Sequence, residues 1–203
     1  MDNLALQKIS YGLYVVTAKS GNKSSGCIVN TVMQAASSPV LITVSVNKQN
    51  FTHDLILREG KFNVSVLTED VPFDMIKRFG FSSGRDTDKF DGLEVPYTAD
   101  GIAYIDKYTN SYLACTVKST VDCGTHTLFV AEVTDAKCFS DAASLTYDFY
   151  HKNVKPKAEP VKGKKVYYQC TVCGYIYEGD TLPEDFVCPL CKHGAADFVK
   201  VES

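Results

Sequence analysis

Four cysteines near the end of the chain, paired as Cys170/Cys173 and Cys188/Cys191, constrain its folding more than any other feature. A Cys-x-x-Cys pair can form a tight knuckle that aims both sulfurs at one point. Two such pairs, separated here by 14 residues, can bring four sulfurs to the corners of a tetrahedron about 2.3 Å from a zinc-like ion. The surrounding stretch, Val166 to Ser203, is only 38 residues long. That is below the size at which a domain usually folds on its apolar core alone, so this module is expected to need its metal. Spacing by itself does not separate zinc from iron. The aromatic residues Tyr168, Tyr175, Tyr177, Phe186 and Phe198 favour iron, because a dry shell that limits water access and reorganisation suits an ion that changes charge.

The other four cysteines, Cys27, Cys115, Cys123 and Cys138, lie scattered in strand-like, mostly apolar surroundings without ligand spacing. They are expected to be small buried core residues with free thiols, not disulfide partners. The chain is 45% hydrophobic with 11% aromatic residues, ample for a packed core. Its formal charge of -3 provides no basic field of the kind that neutralising phosphates requires, which argues against nucleic acid as a partner. The opening Met1-Asp2-Asn3 lacks a basic stretch followed by an apolar core, and no apolar run reaches the roughly 18 residues needed to span a bilayer. A cytoplasmic, non-membrane protein is expected.

From Leu13 to about Phe139, β-branched and aromatic residues come in short runs separated by turn signals such as Gly21-Asn22, Asp91-Gly92 and Asp100-Gly101. The pattern predicts a mainly β fold of barrel type, with strands over Tyr14 to Ala18, Gly26 to Asn30, Val40 to Val46, Phe62 to Leu67, Ser111 to Val121 and Leu128 to Phe139. Two short helices interrupt them: one starts at Asn50 or Thr52 and ends at Gly60, and the other covers roughly Val71 to Phe79. Between His151 and Lys165 the composition shifts to six lysines, two prolines, a glycine and a single acid. This reads as a linker, whose 15 residues would span on the order of 20 Å as a flexible coil. Its lysines are either simply solvated or attract an anionic cofactor or partner. The resulting organisation is a first domain over 1–150, a linker over 151–165 and the cysteine module over 166–203.

The segments Tyr168-Gln-Cys-Thr-Val-Cys-Gly-Tyr-Ile-Tyr177 and Asp185-Phe-Val-Cys-Pro-Leu-Cys191 resemble the two halves of the rubredoxin signature. That resemblance implies one iron held by Cys170, Cys173, Cys188 and Cys191. The module departs from the family in having Phe186 where tryptophan is common, and in a shortened loop between Glu178 and Glu184. Its six acids against two lysines imply docking on a basic patch of a redox partner.

Within the first 150 residues no glycine-rich nucleotide fingerprint, Ser-His-Asp set or paired-histidine metal motif stands out. Gly26-Cys-Ile-Val-Asn-Thr31, Ser45-Val-Asn-Lys-Gln-Asn-Phe-Thr52, Ser83-Gly-Arg-Asp-Thr-Asp-Lys-Phe90 and Gly124-Thr-His-Thr-Leu-Phe-Val-Ala-Glu132, however, resemble the flavin reductase family. The fold of that family is the FMN-binding split β-barrel. The resemblance places Cys27, Ile28, Val29, Asn30 and Thr31 along the flavin ring, with Asn30 and Thr31 hydrogen-bonding its polar edge. Ser45 and Val46 continue the contact. Asn47, Lys48, Asn50 and Thr52 cluster where a strand hands over to a helix N-terminus, a suitable cradle for the dianionic phosphate of FMN. His126 faces flavin or nicotinamide, or is structural; Arg85 and Lys89 hold anionic cofactor groups, or are solvated. No catalytic side chain is assigned, because the flavin itself carries the hydride chemistry.

The domain order resembles that of the high-molecular-weight rubredoxins of anaerobic bacteria. It implies a homodimer passing electrons from NADH or NADPH through FMN to the rubredoxin iron. From there they go to an acceptor protein, a flavodiiron protein reducing oxygen or nitric oxide. A flavoredoxin-type carrier, reduced by another protein and lacking a nicotinamide site, is the alternative.

Overall fold

The computed structural model describes residues 8–156, 166–171, 175–188 and 194–202. The chain opens with a hairpin of β1 (Tyr14–Ser20) and β2 (Lys23–Val29), turned at Gly21, whose φ of 54° suits glycine. Next come β3 (Met33–Ser37), β4 (Val40–Asn47), α1 (Phe51–Glu59), β5 (Lys61–Leu67), α2 (Phe73–Gly80), β6 (Thr109–Asp122) and β7 (His126–Cys138). Gly60, at φ 68°, stops α1 with its N–H bonded to the Ile56 carbonyl, a left-handed C-terminal cap.

The seven strands form one antiparallel sheet in the order β2-β1-β5-β6-β7-β4-β3. It curls on itself at the end of β2. The Thr31 hydroxyl donates to the Ser45 carbonyl at 2.9 Å and accepts from the Ser45 N–H at 3.1 Å, tying this end of the chain to β4. The expected split barrel is therefore formed. Inside it Val16, Ala18, Val44, Val46, Phe62, Val64, Phe129 and Ala131 alternate inward and pack against Leu55 and Ile56 of α1. A second cluster joins α2, through Ile76 and Phe79, to Leu13, Val15, Leu67, Ile105, Leu145 and Tyr150.

The predicted strands and both helices are present within one to three residues; β3 is not among them, and two expectations need correction. β3 shows no alternating pattern because it is an edge strand with only β4 beside it, and all its residues but Ala36 are exposed. The first part of the expected linker belongs to the barrel: a helical turn, α3 (Tyr147–Phe149), runs into a π-turn over Tyr150–Val154, and Val154 packs on the second cluster. Residues 157–165 of that linker lie outside the described residues. Finally, Cys27 and Cys115 are buried as expected, whereas Cys123 and Cys138 are exposed. β6 and β7 overhang the rest of the sheet, so their distal ends carry no packed layer.

The cysteine module is built on a second sheet of β8 (Val166–Cys170), β9 (Ile176–Tyr177) and β10 (Phe198–Glu202), in the order β10-β8-β9. No helix among the described residues is long and apolar enough to cross a membrane.

Candidate flavin cleft and cysteine centre

A cleft of about 590 Å³ opens where the two hydrophobic clusters meet. Its volume lies in the range of small-molecule and cofactor pockets. The end of β2 and the residues after it supply Cys27, Ile28, Val29, Asn30 and Thr31; β4 supplies Ser45 and Asn47; the start of α1 supplies Asn50, Phe51 and Thr52. The loop after α2 closes one side with Ser82, Ser83, Gly84, Thr87 and Lys89. His126 stands at the rim opposite Asn47 in the β4–β7 register, its Nδ1 2.9 Å from the Thr125 hydroxyl.

The N-terminus of α1 faces this cleft. Asn50 is the N-cap residue, yet its side chain makes no capping hydrogen bond, so the first turn is not closed by its own side chain. Thr52, buried, bonds through its hydroxyl to Ser25 at 3.1 Å, and Asn47 accepts from the Gln49 N–H at 2.9 Å. Backbone N–H groups at a helix start, with hydroxyls of a neighbouring loop, match the donor set that an anionic phosphate requires. The residues present therefore fit the phosphate of a flavin nucleotide.

Lys89 is the least expected member. It is only 4% exposed, and its Nζ donates to the carbonyls of Gly26 at 2.8 Å and Phe79 at 2.9 Å. Burial lowers its pKa, partly offset by the nearby Cys27. Burial likewise pushes the Cys27 thiol up to about 11, against a smaller lowering by Lys89. Cys27 is thus a protonated thiol at neutral pH, a packing surface and not a nucleophile.

Three predicted residues are not brought to the cleft wall. Val46 points into the barrel core, as its place in the β4 alternation requires. Lys48 pairs with Asp122 at 2.7 Å. Arg85 pairs with Asp54 at 2.6 Å, and its guanidinium lies 5.2 Å from the centre of the Phe51 ring. Burial tends to raise the Asp54 pKa, but Arg85 and His53 outweigh it and hold the carboxyl low. His53, meanwhile, is structural, with Nε2 2.8 Å from the Thr127 hydroxyl and its ring edge-on to Phe129.

Sequence reasoning missed Phe51, Ser82, Thr87, Tyr147 and Tyr150. Phe51 and Thr87 lie within the quoted motifs and Ser82 adjoins one, so these three were within reach. The two tyrosines carried no signal, because only the return of the chain past β7 places them here.

In the cysteine module, the Cys170 N–H bonds to the Tyr175 carbonyl at 2.9 Å beside the β8–β9 pairing. Val187, next to Cys188, forms a bridge with Gly194. Cys170 and Cys188 are fully buried and packed by Tyr175 and Phe198; Cys173 and Cys191 lie outside the described residues. Phe186 sits 4.7 Å from Tyr177 and 5.3 Å from Phe198, completing the aromatic shell in place of the family's tryptophan. Buried thiols in such a shell fit a four-sulfur metal centre.

Comparison with known proteins agrees with both halves. Residues 6–156 match the model of the flavin reductase like domain, and residues 168–199 that of the rubrerythrin, rubredoxin-like domain. The high molecular weight rubredoxin of Moorella thermoacetica is 39% identical over 229 aligned positions, covering 99% of this chain and all of that protein. The ferric-chelate reductase (NAD(P)H) of Archaeoglobus fulgidus is 43% identical over 157 residues, covering 77% of this chain and 93% of that protein. Among solved structures, BorF, the flavin reductase component of a bacterial two-component tryptophan halogenase, superposes with a TM-score of 0.63 at 24% identity, covering 72% of this chain and 93% of that one. The chain therefore belongs to the high-molecular-weight rubredoxin family, electron-transfer oxidoreductases in which a flavin reductase-like domain precedes a rubredoxin domain.

Proposed function

We propose that the protein takes electrons from NADH or NADPH onto FMN in the barrel cleft and passes them singly through the rubredoxin iron to an acceptor protein. The observation that carries this reading is the convergence of the β2 end, the β4–α1 junction and the 82–89 loop on one cleft of cofactor size. A bound flavin supplies hydride acceptance and one-electron release, and a bound iron supplies a one-electron store. The chain's own residues bind and orient. Asn30 and Thr31 serve the polar edge of the ring, Asn47, Asn50 and Thr52 the phosphate, and Cys27, Ile28 and Val29 the ring face. Phe79, Tyr147 and Tyr150 exclude water. Lys89 braces the 82–89 loop against β2 and α2 through the Gly26 and Phe79 carbonyls.

The nicotinamide donor is supported by the likeness to the ferric-chelate reductase, whose name includes NAD(P)H. For the acceptor, the family resemblance points to a flavodiiron protein reducing oxygen or nitric oxide, and the acidic module suits a basic docking patch. Two copies are proposed to pair, as the same resemblance implies; exposed Met33 and Val40 at the free edge of the sheet are apolar surface that a second copy would cover. Sedimentation giving twice the chain mass checks the pairing.

The decisive experiment is an anaerobic absorbance spectrum of the purified protein, before and after NADH and then NADPH. Flavin and ferric-thiolate bands that both bleach within the mixing of one nucleotide are expected. Bands present but unaffected by either nucleotide would refute the nicotinamide step and leave a carrier awaiting a protein donor.

A further inference from the structure

Phe81, the residue that closes α2, stands against both centres. It lines the flavin cleft and also packs on the cluster of Cys170 and Cys188 with Tyr175 and Phe198. Among the described hydrophobic residues of the barrel, no other lines the cleft and packs on this cluster. Its backbone is held by an N–H bond to the Lys77 carbonyl at 2.9 Å, and its ring is backed by Phe73 with centroids 5.7 Å apart. A second point of contact lies beside it. The Lys155 ammonium donates to the carbonyl of Thr171, the residue next to Cys170. Thr171 is itself anchored, its N–H and hydroxyl both donating to the Asp197 carbonyl at 2.8 and 2.9 Å.

We propose that this two-point contact is the pose in which electrons cross between the centres, with Phe81 as the bridging residue and Lys155 as the pin. The inference rests on the relay proposed above. Electron tunnelling falls steeply with the width of the gap it crosses, and packed atoms carry it better than an intervening water layer. An aromatic ring that touches the cleft on one side and the buried cysteines on the other supplies such a path. With flavin and iron bound, each crossing would move one electron from reduced flavin to ferric iron, giving ferrous iron, and Phe81 would form no bond. The second electron follows once the acceptor protein has reoxidised the iron.

Among the described residues the contact includes one ring and one ammonium. Linkage in one chain keeps the effective concentration of the module near the cleft in roughly the millimolar range, so it can leave this pose to present its acidic face to another protein and return. Lys155 is the residue that ends the π-turn, its N–H bonded to the Tyr150 carbonyl, so the pin is anchored in the barrel.

The test uses the full-length protein carrying flavin and iron. Wild type, Phe81→Asp and Lys155→Ser are compared in two ways: by amide hydrogen exchange of the oxidised proteins over residues 167–171 and 175–177, and by rapid-mixing absorbance that follows the flavin and ferric-thiolate bands separately. Both variants are expected to exchange faster in these segments. They should also slow iron bleaching relative to flavin bleaching by about tenfold, the change in docked population when a partly buried ring contact or a charge-assisted hydrogen bond is lost. Lys155 lies outside the cleft, so in Lys155→Ser flavin bleaching should keep its wild-type rate. Phe81→Tyr, which keeps the ring, should restore both readouts toward wild type. Iron bleaching that keeps pace with the flavin in both Phe81→Asp and Lys155→Ser overturns the proposal, whether or not exchange has changed. If the wild-type iron band itself never bleaches, it is the relay that fails, and the two failures are thus told apart.

Discussion

Lys89→Met isolates the brace that holds the cleft loop. Methionine keeps the length and apolar stem of lysine, so packing at this buried position is largely preserved. What is lost is the donor that satisfies the carbonyls of Gly26 and Phe79. Leaving two buried acceptors unpaired would cost about 1–3 kcal/mol each. Removing an amine that was desolvated on folding, as its lowered pKa records, offsets part of that cost. A net loss of about 2 kcal/mol follows, which for a domain of this size lowers the melting temperature by roughly 4–8 °C. Gly26 adjoins Cys27 and Phe79 adjoins Gly80 on the cleft wall, so weaker flavin binding should accompany the loss. Thermal unfolding by circular dichroism and flavin titration by fluorescence measure the two effects. If Lys89→Met melts within about 1 °C of wild type and binds flavin equally well, the brace does not exist.

Thiol reactivity should sort the scattered cysteines by exposure. In the native metal-loaded protein, Cys123 and Cys138 should be alkylated readily, while Cys27 and Cys115, buried with thiols pushed up to about 11 and about 12, should be protected until unfolding; peptide mapping that finds Cys27 labelled first would contradict this. A pH effect is expected at the tyrosine pair. Burial, followed by Lys155, lowers the pKa of His151 from its ordinary 6.5, against an opposing pull from Asp148. Its folded pKa is below its unfolded one, so its contribution is complete above pH 6.5 and is lost as pH falls through the folded value. The ring packs edge-on to Tyr147 at 4.5 Å, and Tyr147 lines the cleft, so flavin affinity should weaken on that acid limb. His151→Gln should flatten the limb, and an unchanged profile in that variant would assign it to another group.

Much of this molecule was legible locally. The Cys-x-x-Cys pairs are close enough in sequence for spacing alone to announce a four-sulfur site. β4 and β7 could be read because a half-buried strand repeats every two residues, β1 and β5 because a short run of β-branched residues bounded by turn signals marks a strand buried on both faces, and Gly21 and Gly60 because few other residues turn the backbone as they do. The handover from β4 to α1 likewise placed Asn47, Asn50 and Thr52 at a helix start, where the structure has them.

What remained hidden depends on partners far away in sequence. Lys48 and Arg85 looked like cations for a phosphate, but each is met by a carboxylate, Asp122 and Asp54, that no local pattern assigns to it. Lys89 had the composition of a solvated residue, and only the packing of α2 over β2 buries it. Cys123 and Cys138 have strand-like neighbours as the buried thiols do, but Cys123 lies in the β6–β7 turn and Cys138 at the exposed end of β7, where unequal strand lengths leave no packed layer. Tyr147 and Tyr150 reach the cleft because the chain returns past the whole barrel. Sequence periodicity records the geometry of a few neighbouring residues; burial, charge pairing and the meeting of Phe81 with Cys170 and Cys188 are settled only when distant segments occupy the same space.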